Sequence, residues 1–100
     1  MNVTINQDGN VYNAAIQGRI DTTNADQFLK DIGVLLNAEE AQISIDCTEL
    51  EYTSSQGLRM FLMLQKSVMA KKGSLVLKNM KPQVKEVFDI TGFSNIIKIQ

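Results

Sequence analysis

Thr53-Ser54-Ser55-Gln56-Gly57-Leu58-Arg59 stands between an alternating stretch, Gln42 to Cys47, and an apolar stripe at helical spacing that runs to about Ala70. Ile43, Ile45 and Cys47 alternate with Ser44 and Asp46, the period of a half-buried strand. Leu58, Phe61, Leu62, Val68 and Met69 then recur at the spacing of one helix face. The stretch is therefore the joint of a strand-to-helix unit. Thr53 followed by Gln56 fits a capping box, and Ser54 is an alternative N-cap. On either assignment Ser55 falls in the first helical turn, where unpaired N–H groups and the helix dipole favour an anion. Gly57 in that turn costs about 0.5–1 kcal/mol relative to Ala, which points to close backbone packing or to a surface kept bare for a partner.

Outward from this joint the same two periods repeat. Val3 and Ile5 alternate with polar neighbours, Asp8-Gly9 signals a hairpin, and Tyr12, Ala14, Ile16 and Ile20 share one face of a second strand. Asp21-Thr22-Thr23-Asn24 is a run of capping residues before Ala25, Phe28, Leu29, Ile32, Leu35 and Leu36, a helical stripe. Lys66, Lys71 and Lys72 crowd the end of the central helix, where the dipole favours cations, and Gly73 is its expected stop. Leu75 and Leu77 mark a fourth strand. Pro82 suits the first turn of a third helix, which turns Val84, Val87 and Phe88 inward and ends at Gly92; Ile97 and Ile99 belong to a last strand.

The element order ββαβαβαβ makes strands joined through helices parallel and the opening hairpin antiparallel. Residues 1–100 are expected to form a single α/β domain, with a mixed four- to five-stranded sheet and helices packed on one face, because the strands alternate one-sidedly. The expected core includes Ile43, Ile45, Leu58, Phe61, Leu62, Leu75 and Leu77. Gln56, Met60, Met63 and Ser67 cluster opposite the inner stripe of the central helix. Met60, one turn from Ser55, is expected to meet a partner, and Met63 to pack against a neighbouring helix.

Composition removes several function classes. The net charge is −1, so no basic field draws nucleic acid or an anionic membrane, and contact with neither is expected. Histidine is absent, which takes away the usual base of a catalytic triad, and Gly57 is the only glycine near the serines, so no phosphate-cradling loop forms. No enzyme activity, cofactor or metal is expected. Asp21 and Asp46 are conceivable metal ligands, but strand-end carboxylates more often close turns. Met1-Asn2-Val3-Thr4 lacks the basic and apolar regions of a secretion signal. Cys47 is the single cysteine and reads as a buried thiol suited to a reducing compartment. A cytoplasmic location is expected.

Leu50 to Arg59 resembles the signature loop and helix start of STAS domains, the anti-sigma factor antagonist family. Ile45-Asp46-Cys47 is similar to the strand end before that loop, Gly18-Arg19-Ile20-Asp21 to an earlier Gly-x-Leu/Ile-Asp segment, and Thr91-Gly92-Phe93 to a late turn. The likeness runs through essentially the whole chain in the family's order. Ser54 stands where many members carry Asp, and Gln56 where many carry Ser or Thr. The resemblance implies a STAS-like fold and a phosphorylation-controlled, partner-switching protein that binds an anti-sigma factor serine kinase and releases a sigma factor. A serine phosphatase is a second implied partner, and the expected state is a monomer or weak dimer.

Aligned on Gly57, Ser55 matches the phosphorylated serine, with Ser54 as second choice. Asp21, Thr22, Thr53, Ser54, Gln56, Arg59 and Met60 are the expected partner-binding residues. Asp21 also reads as the N-cap of the helix starting near Thr22, and the two roles are compatible. Two further functions stay open: a STAS adaptor subunit of a larger signalling or lipid-transport assembly, without phosphorylation, and a module binding a small ligand or nucleotide.

Overall fold

The computed structural model describes residues 1–100. Five strands lie in chain order across one sheet: β1 Asn2–Asp8, β2 Val11–Ile20, β3 Gln42–Thr53, β4 Ser74–Lys78 and β5 Lys98–Ile99. β1 pairs antiparallel with β2 and the other pairs are parallel. The helices are α1 Ala25–Asp31, α2 Gly33–Leu36, α3 Ser55–Ala70 and α4 Pro82–Ile90. A short 3₁₀ turn, Phe93–Asn95, follows Gly92, whose left-handed φ of 82° ends α4. In the hairpin Asp8 pairs with Val11, so the two turn residues are Gly9 and Asn10, one position later than expected, with Gly9 at φ 61°.

The register explains the one-sidedness. Tyr12, Ile43 and Leu75 form one row across β2, β3 and β4, and Ala14, Ile45 and Leu77 the next; all six are buried. Buried residues of all four helices join these rows in a single core. Asn13, Ser44 and Val76, and then Ala15, Asp46 and Lys78, point to the other face, which no helix covers. Phe28, Phe61 and Phe88 are fully buried and pack as one tilted and one edge-to-face pair, with centroid separations of 5.1 and 5.5 Å, which links α1, α3 and α4 through one aromatic line.

β3 is longer than its alternation suggests. It continues past Cys47 to Thr53, because β2 supplies hydrogen-bonding partners as far as Ile20. Two register shifts, at Ala15/Gln17 and at Gly18/Arg19, each insert an extra residue into β3. Burial therefore steps from Cys47 to Leu50 to Thr53, a spacing of three that hides the strand from a period-two reading. The first helix is also interrupted: Ile32 closes α1 and opens α2 with φ −92° and ψ 9° before Gly33.

On α3 the expected inner stripe needs correction. Gly57, Leu58, Phe61, Leu64 and Val68 are buried. Leu62 is half-buried and stands outside the core, while Met69 is exposed. Met60 packs against the core and Met63 is exposed, the reverse of their expected roles. The cause is the helix's roll, fixed by neighbours on both flanks. The Ser67 hydroxyl donates to the Leu36 carbonyl at 2.6 Å, and Gln65 Nε2 donates to the Ile96 carbonyl at 3.0 Å. That roll turns Met60 inward beside α1 and α2 and leaves Leu62 and Met69 on the outer shoulder. α3 stops in a Schellman turn: Gly73 N–H donates to Val68 O, and Lys72, not Gly73, takes the left-handed position at φ 62°. Gly73 is required for another reason, since a Cβ there would meet the Ala41 carbonyl oxygen at 2.5 Å.

Leu64 and Leu62 are adjacent enough in sequence to test the roll directly. Leu64→Ala should cost about 2–5 kcal/mol, as for a fully buried leucine, and Leu62→Ala less than about 1 kcal/mol. Urea melts of the two variants check this; equal losses would place both side chains in the core.

Candidate functional site

The chemistry-bearing residues gather where β2 and β3 end side by side. Ile20 pairs with Thr53, and the Ser54 amide donates to the Ile20 carbonyl at 2.8 Å. This bond brings the start of α3 against the turn that follows β2. Ser54, not Thr53, is the N-cap: its Oγ accepts from the Gly57 N–H at 3.2 Å, and Leu58 N–H closes the first turn on the Ser54 carbonyl at 3.0 Å. Thr53 is the last residue of β3, so the Thr53–Gln56 capping box does not form, and Gln56 is exposed.

The three hydroxyls thus have different environments. Thr53 is 2 % exposed and Ser54 8 %, whereas Ser55, the first helical residue, is exposed. The N–H groups of Ser55 and Gln56 donate to nothing within the chain. The first turn holds no acidic residue. Gly57 is a packing glycine: a Cβ would clash with the Thr53 hydroxyl and lie 2.8 Å from Ile20 Cγ2. Close approach between α3 and the strand ends is what the glycine permits.

Asp21 is built into the adjoining turn. Its Oδ1 accepts from Thr23 N at 2.9 Å, Thr23 Oγ1 at 2.6 Å and Asn24 N at 3.2 Å, and its own N–H donates to Asn24 Oδ1 at 2.8 Å. Asn24 Nδ2 donates in turn to the Arg19 carbonyl at 2.9 Å. Asp21 caps a turn over Thr22–Asn24, and α1 begins only at Ala25, later than the sequence suggested. Hydrogen bonds from Thr23, side chain first and then backbone, hold the Asp21 carboxyl below the ordinary carboxylate value, with Asn24 and Arg19 assisting. Asp46 repeats the device at a β3 bulge. Its Oδ1 accepts from Thr48 Oγ1 and N and from Asn79 Nδ2, and its carboxyl is likewise held low, chiefly by Thr48. Asp21 thus closes a turn, and Asp46 a bulge within β3.

Of the expected partner-binding residues, Asp21, Thr22 and Gln56 surround the strand ends with accessible surface, together with Ser55, the expected phosphorylation site, and Arg59 is exposed one turn further along α3. Thr53, Ser54 and Met60 face inward and support the others. Arg19 and Tyr52, which sequence reasoning did not single out, border the same place. They are register partners, and the guanidinium lies 4.4 Å from the Tyr52 ring centroid. The signal for them was the continuation of β3 beyond Cys47. Cys47 is buried, and burial pushes its thiol up to about 12, so it stays an unreactive core group.

A five-stranded mixed sheet with every helix on one face, and a serine-bearing helix start at the end of its long strand, is the architecture of a STAS domain; the STAS domain family model matches residues 2–100. The chain belongs to the STAS domain family, among the anti-sigma factor antagonists. It is 34% identical over 99 residues to the anti-sigma-B factor antagonist of Bacillus subtilis, covering 99% of this chain and 90% of the relative. BtrV of Bordetella bronchiseptica is 33% identical over 99 residues, which cover 99% of this chain and 85% of BtrV. Among solved structures, the unphosphorylated form of the anti-sigma factor antagonist SpoIIAA superposes with a TM-score of 0.80 at 19% identity, covering 99% of this chain and 88% of that one. The phosphorylated form of Bacillus SpoIIAA gives 0.73 at 18% identity, covering 99% and 91%. No helix is long and apolar enough to cross a membrane.

Gly57→Ala raises helix propensity by about 1 kcal/mol yet should destabilise by about 1–3 kcal/mol, because the added Cβ overpacks the contact with Ile20 and Thr53. Thermal melts that show a gain would refute the close approach. A folded-state pKa below the unfolded value makes Asp21 stabilising above the unfolded pKa, and this contribution is lost as pH falls through the folded one. Asp21→Asn keeps an acceptor oxygen but not the charge, so it should melt somewhat below the parent at pH 7, and the gap should close as pH falls below about 4.

Proposed function

We propose that the chain is an anti-sigma factor antagonist whose unphosphorylated form binds an anti-sigma factor serine kinase and so releases a sigma factor, and that phosphorylation of Ser55 ends that binding. One observation carries the assignment of the serine. Three hydroxyls stand together at the helix start, and Ser55 alone is accessible to another protein's active site. Ser54 is occupied as the cap, and Thr53 lies under Gly57.

The same geometry supports a switch that leaves the fold intact. Phosphate adds about −1.5 to −2 charges at pH 7, and the unpaired N–H groups of Ser55 and Gln56 suit an anion at that end of α3. SpoIIAA occurs with this fold in both an unphosphorylated and a phosphorylated form. Asp21, held in place beside the strand ends, presents negative charge at the rim of the surface that would meet the kinase. A serine phosphatase would restore the binding form.

Incubation with the anti-sigma factor kinase and ATP, followed by peptide mapping, should place the phosphate on Ser55. Ser55→Asp should stay folded and bind the kinase at least about tenfold more weakly, and Ser55→Ala should bind constitutively. Phosphate on Ser54 or Thr53 would move the site, and kinase-free recovery in a transport or signalling assembly, with Ser55 unmodified, would favour the adaptor reading.

A further inference from the structure

The charges of this chain are segregated along its length. Residues 1–51 hold nine carboxylates and two cations, whereas from Tyr52 to Lys85 there are seven cations and no carboxylate. α3 lies wholly within the second segment. Lys71 and Lys72 at its end share a surface cleft with Glu39 and Glu40, and the chain's ion pairs, Lys81–Glu51 and Lys85–Asp89, are elsewhere. Arg59 and Lys66 therefore stand on the helix with no carboxylate in ion-pair contact.

Apolar side chains share the surface with these two cations. At about 100° per residue, Ser55, Arg59, Leu62, Met63, Lys66 and Met69 occupy one continuous outward face, opposite the buried Phe61, Leu64 and Val68. Met63 is 46 % exposed and Met69 58 %, and Ile96, 51 % exposed, lies beside Gln65 on the same flank. A solvent-facing helix seldom sets large apolar residues such as Leu62, Met63 and Met69 beside unpaired cations without something to cover them. Methionine adapts its shape to a second surface.

We propose that this outward face of α3 is a docking surface for an acidic protein surface with apolar residues set between its carboxylates, and that the phosphate switch works through Arg59. The inference rests on the antagonist reading and names the chemistry that its partner must present. Charge complementarity selects the occupant: the face offers two cations and no carboxylate. Ser55 and Arg59 are one turn apart on the same stripe, about 5–6 Å between Cβ atoms. Phosphate on Ser55 takes Arg59 as an intrahelical partner and cancels about 1.5 to 2 of the face's two positive charges, so the acidic partner loses its counter-charge while α3 is undisturbed.

The test uses the full chain and an anti-sigma factor kinase captured with it, identified by mass spectrometry and then purified. Arg59→Glu with Lys66→Glu should weaken kinase binding by about 100-fold or more at unchanged circular dichroism, and parent binding should fall steeply from 50 to 300 mM salt. Lys98→Glu, in register with Val76 and so on the sheet face that no helix covers, should bind as the parent does. In phosphorylated protein, Arg59→Gln should no longer change the residual affinity, because the phosphate already occupies that side chain. Parent and double variant binding alike would overturn the docking surface while leaving the antagonist reading in place; failure of the parent to bind any such kinase would overturn both. Concentration-dependent self-association abolished by the double variant would assign the face to a second copy instead. Tighter binding of the parent to phosphatidylglycerol vesicles than to the kinase would assign it to lipid.

Discussion

The hydrogen bond from the Ser54 amide to the Ile20 carbonyl ties the start of α3 to the end of β2, and the other features of the site depend on it. It exists only because β3 runs on to Thr53, and β3 runs on only because two bulges keep it paired with β2. With the strand end fixed there, Ser54 is positioned to cap α3, and Gly57 must be bare for Ile20 and Thr53 to approach. Ser55 is then the first residue free of that contact. Its exposure is a consequence of how tightly its two predecessors are held.

The turn beginning at Asp21 is fixed by the same bond from the other side. Asp21 and Asn24 hold each other's backbone amides, and Asn24 reaches back to the Arg19 carbonyl. Two hydrogen-bonded segments, one carrying a carboxylate and one an accessible hydroxyl, are thereby set side by side. Preorganisation of this kind fixes which groups the surface offers above an unchanged core.

The one-sided sheet has a further effect. Helices fill one face, and α3 sits between α1 and α2 on one flank and the segment around Ile96 on the other. A helix gripped on both flanks has one remaining free direction, outward. That direction shows Arg59, Met63 and Lys66, in line with Ser55. The core packing thus decides which side chains a partner can touch.

The sequence by itself determined the element order, the mixed sheet, the one-sided core and the serine-bearing helix start, because each is written in local periods of two or 3.6 and in capping residues. Tyr12, Ala14, Ile16 and Ile20 are buried as their parity required. The tertiary structure alone decided three things. The length of β3 depended on pairing with β2, and its bulges broke the alternation that would have revealed it. The roll of α3, which put Met60 inside and Leu62 and Met69 outside, was set by contacts with Leu36 and Ile96, each 31 residues away in sequence. Which of Thr53, Ser54 and Ser55 is buried, which caps α3 and which is exposed was set between two strand ends. Residues far apart in the chain made these choices, and a local pattern carries no record of what will be packed against it.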